Sequence, residues 1–222
     1  FYPNKTMKKI IILTMVLITA GSLLAGCNRA AQQPKDTKLT FVPKEKKQAG
    51  SEEKKALQDR LKKASDEEDY AEFAKNLKEI YANGWQGEKD FTKIESETYV
   101  RATNIFTNGE TQKAFDIANI VYSQVFESWR FKYLKVRVLE KLGLQALEKG
   151  ELDKAKNYAT QIMSIEFRPE GVNLMAKTLI AQAEAAIKSG DKTKAKSILM
   201  ESSGMEISAE LRQKIDEMMK GL

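Results

Sequence analysis

Three glycines at nearly equal intervals constrain the fold of this chain more than any other feature. Gly109-Glu110-Thr111-Gln112-Lys113-Ala114, Gly150-Glu151-Leu152-Asp153-Lys154-Ala155 and Gly190-Asp191-Lys192-Thr193-Lys194-Ala195 put glycine, an acidic residue, a lysine and an alanine at the same offsets, with the glycines forty-one and forty residues apart. A period of that length marks stacked supersecondary units. Glycine permits a left-handed turn at a helix end, an acidic side chain suits the next helix's N-terminus, and alanine lets two backbones approach.

Each glycine lies between two amphipathic segments. Apolar spacing predicts helices over about 91–107 and 110–128, 129–149 and 151–166, and 170–189 and 191–202. One αα-hairpin cannot bury its apolar face alone, so stacked neighbours complete the core. An earlier hairpin is predicted from Ser51, with Leu57, Leu61 and Ala64 on one face. Its second helix follows Ser65-Asp66, carries Tyr70, Phe73, Ala74, Leu77, Ile80 and Tyr81 on its apolar side, and stops at Asn83-Gly84. Over 206–220, Ile207, Leu211, Ile215 and Met218 share one side, as expected of a helix capping the last unit.

The central copy resembles tetratricopeptide repeats and their Sel1-like or otherwise divergent relatives. Leu139, Leu142-Gly143, Ala146, Gly150, Leu152 and Ala155 fall where that family places its large hydrophobe, Leu-Gly pair, packing residue, turn glycine, following hydrophobe and second-helix alanine. Pro169 lies slightly late for the end-of-repeat proline, and the spacing of about forty exceeds the family's 34. The resemblance implies an all-α fold, αα-hairpin repeats of tetratricopeptide-like type forming a short right-handed solenoid. A helical bundle with incidental hairpin similarity is the alternative.

Cys27 is the only cysteine. Lys8-Lys9 supplies a basic start, and 10–24 an apolar run broken only by small residues. About fifteen residues at roughly 1.5 Å each fall short of the roughly 30 Å hydrocarbon core, so the run reads as a transient signal segment. Leu24-Ala25-Gly26-Cys27 resembles the lipobox of bacterial lipoproteins. That resemblance implies lipid transfer to Cys27 and cleavage before it. Several acyl chains hold a protein at a bilayer where one is marginal. The expected organisation is therefore 1–26 as upstream extension and signal peptide, with 1–6 contributing nothing to the signal. Polar 27–50, interrupted by Pro34 and Pro43, is a lipidated flexible tether, and 51–222 is the helical-repeat domain. Asn28 is not the aspartate that retains many enterobacterial lipoproteins at the inner membrane, which leans toward an outer-membrane location facing the periplasm.

The chain has no histidine, which excludes Ser-His-Asp and Cys-His nucleophile systems, histidine zinc sites and histidine relays. Removing Lys5, Lys8 and Lys9 from 37 Lys and Arg leaves 34 against 31 Asp and Glu, too mild and too dispersed for nucleic acid binding. No motif asks for a cofactor or metal, and no enzyme activity is expected. Glu67, Glu68 and Asp69 read as a helix start rather than catalytic acids.

Candidate binding residues cluster around Trp129, Arg130, Phe131, Tyr133 and Arg137. Neighbouring positions on a helix cannot all face one core, so at least one of these aromatics is expected at a surface or groove. Arg130, Lys132, Lys135 and Arg137 suit receipt of a carboxylate or peptide C-terminus. Packing between repeats with solvated charges is the competing role. Trp85 joins the candidates as an anchor, although packing between hairpins also accounts for it. These features lead to the expectation of a lipid-anchored adaptor for a protein partner in a secretion, pilus or outer-membrane assembly. The alternative is a solute-binding or transport-accessory lipoprotein with a pocket lined by Trp129, Phe131 and Tyr133.

Overall fold

The computed structural model describes residues 50–166 and 168–222, and among these the apolar spacing resolves into nine α-helices with no strand. They are α1 Ser51–Asp66, α2 Tyr70–Ala82, α3 Lys89–Thr107, α4 Thr111–Gln124, α5 Trp129–Glu148, α6 Leu152–Ser164, α7 Arg168–Lys188, α8 Lys192–Ser203 and α9 Ala209–Lys220. Cys27, the signal segment, and the tether up to residue 49 lie outside the described residues.

The repeated glycines end helices in one way. Gly109, Gly150 and Gly190 take φ of 93°, 74° and 82°. The residue after each donates its backbone N–H back to Ile105, Ala146 or Ala186, while the glycine N–H reaches Phe106, Leu147 or Ile187. This paired closure satisfies two carbonyls the helix end leaves without partners. Gly84 repeats it, and so does Glu68 at φ 56°, a glutamate in a conformation that favours glycine.

The acidic residue after each turn acts in two ways. Asp191 accepts a hydrogen bond from the Lys194 N–H, as Asp69 does from Glu72. Glu110 and Glu151 make no such cap, and instead pair with Lys113 at 4.0 Å and Lys154 at 2.9 Å. Asp reaches the first free N–H groups directly, whereas glutamate's extra methylene carries its carboxylate past them.

The core is assembled serially. α1 packs on α2 and α3, α2 on α4, α3 on α4 and α5, α4 on α5, α5 on α6 and α7, α6 on α7, α7 on α8 and α9, and α8 on α9. Helix α5 is shared between two apolar clusters: Phe131, Leu134 and Val138 face the N-terminal one, and Val136 and Leu139 the next. Helix α7 is shared likewise, giving Leu174 and Leu179 to one side and Ile180 and Ala183 to the other. A helix buried on two flanks keeps only a narrow outward ridge, and that ridge on α5 carries the candidate site.

Two glycines allow close approach within this core. A Cβ on Gly171 would lie 2.9 Å from the Met163 backbone nitrogen and 3.0 Å from the Ala159 carbonyl, so α7 seats directly on the α6 backbone. A Cβ on Gly143 would meet the Leu174 side chain.

Helix boundaries depart from the sequence expectation where tertiary contacts intervene. The second helix starts at Tyr70, capped by Asp69, because Ser65 and Asp66 still belong to α1. Helix α4 stops at Gln124 instead of near 128, freeing Val125 and Ser128 to turn inward and become fully buried. Helix α9 begins at Ala209 because the Ser208 hydroxyl accepts from the Leu211 N–H.

Candidate functional site

Trp129 opens α5, and Tyr133, Arg137 and Lys141 follow at intervals of four, the spacing of a single ridge along a helix. Trp129 is 60% exposed and Tyr133 38%. Just before them, in the turn between α4 and α5, Phe126 is 63% exposed. Large apolar side chains this exposed on neighbouring positions form a patch of the kind that marks interaction surfaces.

The ridge rests on α3. The Arg137 guanidinium carbon lies 5.6 Å from the centroid of the Phe106 ring, and Lys141 Nζ 5.0 Å from the same ring. Arg137 also lies 5.9 Å from the Tyr133 ring, and Arg130 lies 4.9 Å from its neighbour Trp129. Cations over ring faces hold both partners in place at about 0.5–1 kcal/mol each at exposed sites.

Beneath the aromatic end lies a buried carboxylate. Glu95 of α3 is 2% exposed, and its oxygens accept from the Ser128 hydroxyl at 2.6 Å, the Tyr81 hydroxyl at 3.3 Å and Arg130 Nη1 at 3.4 Å. An unpaired buried carboxylate is costly; paired and hydrogen-bonded, it becomes a joint between elements. Here the joint ties α2, α3, the 125–128 turn and the first turn of α5 together. Desolvation, reinforced by Glu95, leaves the Tyr81 hydroxyl pushed up to about 12.

The structure separates the candidates into two groups. Trp129, Tyr133 and Arg137 share the exposed ridge, and Arg130 bridges it to Glu95. Phe131 points the other way and is fully buried, tilted on Phe73 at 6.0 Å and edge-on to Tyr99 at 6.2 Å. It therefore lines no surface pocket with Trp129 and Tyr133. Trp85 is 3% exposed, stacked on Phe91 at 6.3 Å with Lys54 above it, so it is a packing residue and not a partner anchor. The physical reason is common to both: an apolar ring next to a helix partner gains more from burial than from contact with water.

The basic residues divide too. Lys132 pairs with Glu166 at 2.8 Å, which holds the lysine pKa up and the glutamate pKa down. Lys135 donates to Asn119 Oδ1 at 2.8 Å over the Tyr122 ring, with its pKa lowered by burial. Neither is available to a ligand without breaking these contacts.

Sequence reasoning missed Lys141 and Phe106. Lys141 follows Arg137 by one helical turn, so the ridge spacing itself contained the signal. Phe106, 7% exposed and packed in the N-terminal apolar cluster, had no sequence signal for this role. Elsewhere an open cleft of about 400 Å³ is lined by residues including Leu152, Gln182, Ser189, Lys194 and Ile198, with none of the ridge residues among them. Among the described residues no helix is long and apolar enough to cross a membrane, and no group of three or more His, Cys, Asp or Glu is placed to hold a metal ion.

No family model, curated protein or solved structure matches the chain.

Proposed function

We propose that this chain is a lipid-anchored adaptor of the bacterial cell envelope, held at the membrane by an acylated Cys27 and binding a protein partner of a secretion, pilus or outer-membrane assembly. The observation that carries it is the exposed ridge of Trp129, Tyr133 and Arg137, braced from beneath by Glu95 and Phe106. A prearranged apolar and cationic surface on a rigid helical body suits recognition of a polypeptide, since little ordering is needed on binding. Trp, Tyr and Arg are also the residue types that dominate binding energy at interfaces.

The body belongs, in this proposal, to a short right-handed solenoid of tetratricopeptide-like αα-hairpins. Supporting it are the period of the turn glycines, their shared backbone closure, and the contacts of α1 with α3, α3 with α5, α5 with α7 and α7 with α9. Helix α9 would close the last apolar face. The Leu24-Ala25-Gly26-Cys27 run and Asn28 support an outer-membrane location facing the periplasm. No nucleic acid and no cofactor enters the proposed function.

Two measurements test it. A photo-reactive amino acid in place of Trp129, activated in intact cells, is expected to join the chain to a second protein. Recovery of the uncrosslinked chain alone would remove the adaptor function. Cells fed an alkyne-tagged fatty acid should label the wild-type chain but not Cys27→Ser, and equal labelling would remove the anchor.

A further inference from the structure

We infer that the cationic half of the ridge, Arg137 and Lys141 over Phe106, receives carboxylates of an acidic segment in the partner protein, while Tyr133 and Trp129 take a neighbouring apolar side chain. This rests on the adaptor function proposed above and names the chemistry of what is bound. Helix α5 carries five cations, Arg130, Lys132, Lys135, Arg137 and Lys141. The first is matched by Glu95, the second by Glu166 and the third by Asn119. Arg137 and Lys141 make no ion pair among the described residues, yet both are drawn to the face of one ring.

Two like charges one helical turn apart repel each other. Phe106 gathers them all the same, because its ring face is negative, but a ring neutralises neither charge. An external carboxylate completes the arrangement, and the planar guanidinium of Arg137 suits bidentate recognition of one. The size of the site also selects the ligand. Beyond Gly50 the chain carries 28 Lys and Arg against 29 Asp and Glu, so the two cations sit on a nearly neutral body. That fits a short acidic stretch of polypeptide rather than a nucleic acid, whose binding is built on roughly six to ten phosphate contacts. Directly along the ridge, Tyr133 and Trp129 are the exposed aromatic side chains beside the two cations, placed for an apolar residue one or two positions from the acids.

The test uses the full chain in detergent and two fluorescein-labelled twelve-residue peptides, one alternating glutamate pairs with single phenylalanines, the other with lysine replacing every glutamate. Fluorescence anisotropy is expected to show binding of the acidic peptide and not the basic one. Binding should fall at least tenfold in Arg137→Gln/Lys141→Gln, fall less in Arg137→Lys, which keeps the charge but loses the planar fork, and stay unchanged in Lys177→Gln, which removes an exposed lysine on α7. Unaltered binding by the double variant, absence of binding by the wild type, or tighter binding of a thymidine oligonucleotide would each overturn the inference. Thermal melts of the variants report whether a loss comes from unfolding, and an Arg137→Lys affinity between those of the wild type and the double variant separates the part due to charge from the part due to the guanidinium fork. A protein captured through position 129 in cells, alongside failure of the acidic peptide, would leave the adaptor standing and remove only the acidic partner.

Discussion

Ser128 donates its hydroxyl to the Glu95 carboxylate across 2.6 Å, although the two lie 33 residues apart and helix α4 has to stop short for the bond to form. The bond fixes the turn from which Phe126 and Trp129 project. Ser128→Ala leaves a buried carboxylate oxygen one donor short and is expected to destabilise by about 1–2 kcal/mol. Glu95→Ala strands Arg130 and the two hydroxyls together and should cost about 3–5 kcal/mol. Urea unfolding followed by circular dichroism separates the two, and equal, near-zero effects would mean that the joint contributes nothing.

Burial of Tyr81, reinforced by the same carboxylate, makes stability depend on alkaline pH. Above the ordinary tyrosine value near 10, unfolded chains release the Tyr81 proton while folded ones retain it up to about 12. The unfolded state then binds fewer protons, so stability falls as pH rises through that window. With partial exposure discounted, the loss is on the order of 1 kcal/mol. Tyr81→Phe should lose less stability than wild type between pH 10 and 12. Parallel curves would show that another group carries the dependence.

Gly171→Ala sets helix propensity against packing. Alanine gains about 1 kcal/mol in a helix interior. At this position its methyl would press on the backbone of α6, which cannot move aside as a side chain tip does. Net destabilisation of about 1–3 kcal/mol is expected. Gly143→Ala should cost less, because the obstacle there is the Leu174 side chain. Thermal unfolding of the pair gives the order directly.

Glu68 occupies the left-handed position that glycine fills at residues 84, 109, 150 and 190. Glu68→Gly is expected to stabilise by about 0.5–1 kcal/mol, and Gly109→Ala to destabilise by about 1 kcal/mol. A melting temperature that drops for Glu68→Gly would assign the glutamate a favourable contact outweighing its strained backbone.

Much of the architecture was legible because its signals are local. The turn glycines, the acidic starts and the apolar stripes lie within a few residues of what they specify, and each predicted helix of 51–222 is present within several residues of its expected bounds. Exposure within the aromatic cluster was legible only as a requirement that at least one member reach the surface. Trp129 and Phe131 are two residues apart and of similar chemistry, yet one is 60% exposed and the other fully buried. Nothing in their own segment distinguishes them, because Phe73 and Tyr99 supply the contacts that bury Phe131.

By itself the sequence determined an all-helical body punctuated by glycine, the absence of histidine chemistry, and a set of aromatic and basic residues from which a surface would be drawn. Tertiary structure decided which of them form it. Glu95 meets Ser128 and Arg130 from 33 and 35 residues away, and Phe106 collects Arg137 and Lys141 from a different helix. Helix formation follows from backbone geometry repeated residue by residue, whereas burial and charge pairing depend on which distant side chain arrives opposite, and that is settled only when α3 packs on α5.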